Sequence, residues 1–131
     1  MYLCNMRFDE YRISEDIKNN LNAMGFLRPT DIQFKCIPHI QQGEDLLAIA
    51  QTGTGKTAAF VIPIIDKIQL NRKRSTGGIR CVVMVPTREL ALQITEVFHA
   101  IGRNTKKKTF CVYGGVEQDK QIAALENGID V

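Results

Sequence analysis

A chain of 131 residues with 44% hydrophobic and 24% charged residues is long enough for one packed core and too apolar to be read as disordered. No apolar run reaches the ~20 residues of a membrane-crossing helix, and Met1 to Arg12 lack the charged-then-apolar order of a secretory leader. The net charge of +3 is a weak pull toward polyanions, and the four cysteines (Cys4, Cys36, Cys81, Cys111) are scattered with no C-x-x-C pair, which disfavours both a zinc site and a disulfide framework.

The first helix is expected from about Glu15 to Met24. Ser14 is its N-cap, Glu15 and Asp16 suit the dipole, and Gly25 stops it; Ile13, Ile17, Leu21 and Met24 share one apolar face. A second helix starts after Pro29. Thr30 is its N-cap and Gln33 completes a capping box, while Pro38 should end or kink it. From Asp45 the rhythm becomes strand, helix, strand, helix. Strands are expected at Leu46–Ala50, Cys81–Val85 and Thr109–Tyr113, with Asp130-Val131 opening a fourth. Helices are expected at Lys56–Leu70, bent at Pro63, at Arg88–Ile101, with Leu90, Ile94, Val97 and Ile101 as its buried stripe, and at Glu117–Glu126. Near-continuous apolar strands alternating with helices imply an α/β fold: a parallel sheet with helices on both faces. The basic clusters Arg72-Lys73-Arg74 and Arg103 with Lys106-Lys107-Lys108 read as solvated loop charge, and His39 and His99 as ordinary helix residues.

The most informative stretch is Ala50-Gln51-Thr52-Gly53-Thr54-Gly55-Lys56-Thr57, set between an apolar strand and a helix. That is the layout of a phosphate-binding loop. Its glycines aim backbone N–H groups at phosphate oxygens, and the helix behind adds its positive end. Lys56 reaches β- and γ-phosphates, and the Thr57 hydroxyl is suited to Mg²⁺. One departure is visible: Ala50 stands where the pattern has its first glycine. The division is therefore an N-terminal helical segment, residues 1–44, and a partial nucleotide-binding unit, residues 45–131, forming one domain together.

Three further patterns accompany the loop. Phe8 is followed by Gly25-Phe26, Pro29-Thr30 and Ile32-Gln33; Pro86-Thr87-Arg88-Glu89-Leu90-Ala91 closes one expected strand; Gly114-Gly115 closes the next. In this order, over nearly the whole chain from about Phe8, they resemble the N-terminal RecA-like domain of DEAD-box RNA helicases. The resemblance implies ATP and Mg²⁺ as ligands. Phe8, Arg28 and Gln33 would form the adenine pocket, the last by pairing its amide with the N6/N7 edge. Gln51, Thr52, Gly53, Thr54, Gly55, Lys56 and Thr57 would form the phosphate site, Lys56 and Thr57 with catalytic roles and Thr57 on the metal. Pro86, Thr87, Arg88, Gly114 and Gly115 would contact the backbone of single-stranded RNA. From local sequence alone Gln33 could equally just cap its own helix, Arg88 could be a surface arginine, and Gly114-Gly115 could simply make a turn.

The family's Asp-Glu-Ala-Asp, Ser-Ala-Thr and Thr-Pro-Gly-Arg motifs are not among these residues. The chain thus reads as part of a longer ATP-hydrolysing helicase, inactive by itself, in an intracellular setting, cytoplasmic or, in a eukaryote, nuclear. Two rivals stand beside it: a non-catalytic ATP- and RNA-binding module, and another phosphate-loop enzyme such as a nucleotide kinase. The resemblance also places the absent strands between Leu46–Ala50 and Cys81–Val85, so self-association through an incomplete sheet is expected, with no membrane partner.

Overall fold

The computed structural model describes residues 6–71 and 78–131; Cys4 and the cluster Arg72-Lys73-Arg74 lie outside them. A 3-10 turn at Phe8–Glu10 is followed by five helices: α1 (Glu15–Ala23), α2 (Asp31–Gln42), α3 (Lys56–Leu70), α4 (Arg88–Ile101) and α5 (Gln118–Glu126). All five coincide with expected helices, and α3 and α4 do so to the residue.

The core is helical. Ile17 and Leu21 of α1, Ile37 of α2, Val61, Ile62 and Ile65 of α3, and Ile94, Phe98 and Ile101 of α4 form one buried cluster with Phe8, Tyr11 and Ile13. It draws on residues both before and after the phosphate loop. Burying a side chain of this size is worth about 1.5–3 kcal/mol. Met24, expected on the α1 face, is the residue after the helix and is exposed.

Polar groups tie the helices together. Ser14 occupies the N-cap of α1, but its hydroxyl donates to Gln69 Oε1 at 2.8 Å and its N–H to Asp66 Oδ1 at 2.8 Å, both on α3. Gln41 of α2 donates to Asp66 Oδ2 at 3.3 Å and to the Arg12 carbonyl at 3.0 Å. Asn20 of α1 donates to the Ile101 carbonyl at 2.9 Å, satisfying a group that the end of α4 leaves unpaired. Asp66 is buried, and burial pushes its carboxyl above the ordinary value despite the Ser14 and Gln41 bonds.

Two expectations change. Of the two outcomes expected at Pro38, ending or kinking α2, the first does not occur: the helix continues to Gln42. An interior proline costs about 3 kcal/mol. Here the Thr30–Gln33 capping box at one end and the buried Ile37 packed against α3 outweigh it. The second correction is larger: no regular strand forms among the described residues, so the expected parallel sheet is absent as a ladder. Fragments of pairing survive at one point. The Asp130 carbonyl accepts from the N–H groups of Arg80 (2.9 Å) and Cys81 (3.2 Å), Asp130 N donates to the Lys108 carbonyl (2.9 Å), and Phe110 N to the Val131 carbonyl (3.0 Å). Elsewhere the segments keep an alternating pattern of burial. Val83 and Val85 pack on the core, whereas Val82 and Met84 face solvent. Leu47 and Ile49 are exposed as well. A strand's N–H and C=O groups are ordinarily satisfied by a neighbouring strand, and no continuous ladder of that kind forms along these segments among the described residues.

Candidate functional site

The phosphate loop is built by two left-handed glycines, Gly53 (φ +79°) and Gly55 (φ +83°), the second forming the N-cap of α3. A side chain is strained at either position, and at Gly55 there is also no room: a Cβ would lie 2.5 Å from Gln33 Nε2. Thr54 closes the loop by donating to the Gln51 carbonyl at 2.7 Å. Lys56 turns back into the loop and donates to the carbonyls of Ala50 and Gln51, the latter at 2.6 Å. Its ammonium thus sits over the arc of backbone that surrounds the glycines, held by neutral acceptors that an anionic oxygen would outcompete.

Gln33 joins this loop to α2. It is buried, its Oε1 accepts from Thr30 N at 3.0 Å, and its Nε2 donates to the Gly55 carbonyl at 3.1 Å. The first bond is the cap that its position on α2 called for; the second reaches the phosphate loop, which the residue spacing alone did not show. Both edges of the amide are engaged. Phe8 lies in the core, 2% exposed and tilted 45° against Tyr11 at 5.7 Å, and its N–H donates to the Leu27 carbonyl at 3.1 Å. That backbone bond ties it to the turn that precedes α2. Arg28, in that turn, is exposed.

The residues set aside for nucleic acid meet at another place. Thr87 caps α4, its hydroxyl accepting from Leu90 N at 3.2 Å, and Pro86, Thr87 and Arg88 are all exposed. Thr87, Arg88 and Gly114 line one cavity of about 520 Å³, together with Tyr113 and, deeper, Phe98 and Phe110. Gly115 follows on the surface. Sequence reasoning passed over Tyr113, whose ring centroid lies 4.4 Å from Arg88 Cζ. Its place directly before Gly114-Gly115 was the available signal.

Metal donors are sparse. Among the described residues no three His, Cys, Asp or Glu side chains converge on a common point. The residues at the loop fit a hard cation only as one hydroxyl, that of Thr57; its remaining oxygens would come from phosphate and water. Cys36, Cys81 and Cys111 are free thiols, and burial raises the pKa of Cys36 and Cys81. His39 pairs with Glu44 at 2.5 Å and His99 with the Thr109 carbonyl at 3.2 Å, so both are occupied within the helical framework.

A glycine loop thus caps α3, a largely buried helix, with Lys56 folded over it. Residues 30–131 match the DEAD/DEAH box helicase family, and the chain belongs to that family. It is 44% identical over 124 residues to the DEAD-box ATP-dependent RNA helicase RhpA of Helicobacter pylori, a match that covers 95% of this chain and 24% of that protein. It is 40% identical over 119 residues to the DEAD-box ATP-dependent RNA helicase CshA of Bacillus cereus, covering 91% and 22%. The fold matches the crystal structure of a DEAD box protein from Methanococcus jannaschii with a TM-score of 0.86 at 39% identity, over 96% of this chain and 34% of that one. A hypothetical ATP-dependent RNA helicase from Sulfolobus tokodaii gives 0.76 at 35% identity, over 88% and 32%. The chain therefore spans about a quarter of the length of the curated relatives it matches. Among the described residues no helix is long and apolar enough to cross a membrane.

Proposed function

We propose that this chain is the ATP-binding N-terminal part of an ATP-dependent RNA helicase whose reaction, in the longer protein, couples ATP hydrolysis to RNA strand separation. The observation that carries the reading is the Gln33–Gly55 bond, which links an amide suited to an adenine edge directly to the carbonyl at the end of the phosphate loop. Adenine offers an N6 donor and an N7 acceptor, the complement of a glutamine amide. To pair with it, Gln33 would release the Gly55 carbonyl, and Lys56 would exchange the Ala50 and Gln51 carbonyls for phosphate oxygens. Base and phosphate binding are then felt by the same loop. Mg²⁺ bound with the nucleotide would be held on the protein side by Thr57 and would neutralise phosphate charge; Lys56 adds a second positive charge at the same phosphates. Phe8 would stack on the purine only after being uncovered from the core, so Arg28 and Gln33 are the better-placed members of the adenine pocket. Pro86, Thr87, Arg88, Gly114 and Gly115 would take the RNA backbone.

Titration with ATP and GTP tests this. Lys56→Ala should weaken both nucleotides, and Gln33→Ala should remove the preference for ATP. Equal affinity of the folded wild-type chain for the two would overturn the adenine role of Gln33. The chain alone should release phosphate far below about 1 s⁻¹, a usual enzymatic rate, because no carboxylate of the family's water-positioning motif is present to preorganise the attack. Free thiols suit a reducing, intracellular compartment. The exposed Leu47, Ile49, Val82 and Met84 favour association of the isolated chain with itself through its unpaired segments.

A further inference from the structure

Arg88 Cζ stands over the ring of Tyr113, 4.4 Å from its centroid. The cation is attracted to the π-face, and the stack restricts a side chain that otherwise samples many rotamers. The ring attracts the charge without offering a lone pair as an oxygen acceptor would, so the five N–H donors keep their capacity for an oxyanion. Among the described residues those donors meet no hydrogen-bond or ion-pair partner. An arginine restrained over an aromatic ring with its N–H donors unengaged is prepared for a bidentate oxyanion.

Tyr113 is itself held in place. Its N–H donates to Gln121 Oε1 at 3.0 Å, and its carbonyl accepts from Gln121 Nε2 at 3.2 Å. One side-chain amide thereby supplies both bonds that a neighbouring strand would have made to this residue. Gln121 stands on α5, a helix with no buried residue, and this pair of bonds ties α5 to Tyr113. The connection runs from α5 through Gln121 and Tyr113 to Arg88 at the first turn of α4, beside the hydroxyl of Thr87.

We propose that Tyr113, locked by Gln121, is a positioning residue that aims the Arg88 donor edge at a nucleic-acid phosphate. The inference rests on the reading of Arg88 as an RNA-backbone contact. Its specific content is that the ring acts through Arg88 and makes no contact with RNA itself.

The test uses the 131-residue chain and a fluorescein-labelled oligouridylate, with anisotropy followed over a salt series. Arg88→Ala should flatten the slope of log K against log salt by about 0.7, the share of one phosphate on a single strand. Tyr113→Leu should weaken binding about two- to five-fold, the size of an exposed cation–π contact, and flatten the slope in the same direction. Tyr113→Phe, which keeps the ring, should restore both, and Gln121→Ala should fall between. In the Arg88→Ala background, Tyr113→Leu should change nothing further. Thermal melting of each variant separates these effects from unfolding. The upfield ring-current shift of the Arg88 δ-protons, present in the wild type and in Tyr113→Phe and lost in Tyr113→Leu, reads the stack without RNA. If Arg88→Ala weakens binding and Tyr113→Leu does not, the positioning role fails while the RNA reading stands. If the two losses add, the ring contacts RNA directly and the proposal is wrong. If the wild-type chain does not bind, or Arg88→Ala binds as well as wild type, the RNA reading of this face falls and the inference with it.

Discussion

Ile62 and Ile49 carry the same side chain, and the fold treats them oppositely: the first is 0% exposed, in the middle of α3, and the second is 87% exposed, just ahead of the phosphate loop. Leu21 in α1 and Leu47 repeat the contrast at 0% and 88%. Hydropathy cannot explain it. A helix satisfies its own backbone and brings a finished apolar stripe to its neighbours. A strand brings unfinished backbone, and its side chains are buried only once other strands stand beside it. The helices need only one another and make a core. The apolar segments need partners that these residues do not supply, so they keep only the burial that the helices provide on one side, as at Val83 and Val85.

The widest test of that contrast makes the same substitution in both regions. Ile62→Ala should cost about 2–5 kcal/mol by leaving a cavity between α3 and its neighbours. That is a large part of the roughly 5–15 kcal/mol typical of a domain. Ile49→Ala should change stability by no more than about 0.5 kcal/mol. Urea unfolding followed by circular dichroism measures both. Similar losses at the two sites would mean that Ile49 is covered in solution and that the contrast is false.

What was legible in the sequence follows the same division. The helices were readable because their signals are local, such as Thr30 with Gln33; the expected stripe of α4 held at Ile94 and Ile101, while Leu90 and Val97 are only partly buried and Phe98, outside it, is in the core. The strand segments were equally readable as apolar runs, but a strand is a relation between segments, and the relation was not in the runs themselves. The geometry of the glycine loop was legible because Gly53, Gly55 and Lys56 act within one short stretch of chain. The Gln33–Gly55 bond, the Arg88–Tyr113 stack and the Ser14–Asp66 bond join residues far apart in sequence, and only the packing of the helices brings them together. Phe8 is a different case: the family resemblance implied a stacking role on the purine, and in the folded chain its side chain is buried in the core.

The loop itself offers a finer comparison. Gly53 and Gly55 are both left-handed, so alanine at either should cost roughly 1–2 kcal/mol in backbone strain. A Cβ at Gly53 meets nothing within 4 Å, whereas at Gly55 it meets the Gln33 amide. Gly55→Ala should therefore destabilise the chain more than Gly53→Ala, and only Gly55→Ala should detach Gln33 from the loop. Stability curves for the pair and the amide resonances of Gln33 would show it; equal effects would remove Gln33 from any coupling to the loop.

Within the helical region, Asp66 gives a smaller effect with a definite sign. Its carboxyl is held above its ordinary value by burial, so the folded chain keeps this proton to higher pH than the unfolded chain does. Its contribution to stability is then full below the unfolded value, near about 3.9, and is lost as pH rises through the folded value. Melting temperatures of the wild type and Asp66→Asn should accordingly diverge with pH, the wild type losing ground as pH is raised from acid toward neutral. A difference independent of pH would show that the Ser14 and Gln41 bonds fully offset the burial.

The smallest change in folding stability belongs to the exposed segments, where the effect should appear in association instead. Leu47 and Met84 are almost fully exposed, on two segments that form no strand among the described residues. Lysine at such positions costs a monomer almost nothing, within about 0.5 kcal/mol. At an edge that pairs with another copy it places charge against charge and opposes pairing. The double variant Leu47→Lys, Met84→Lys should thus melt close to the wild type when dilute, yet stay monomeric to higher concentration in light scattering. Mass spectrometry of the same samples confirms that the chain is intact. A wild-type chain that is monodisperse, monomeric and cooperatively folded at high concentration would mean that the exposed segments are tolerated in water as they stand, and the self-association reading would be withdrawn.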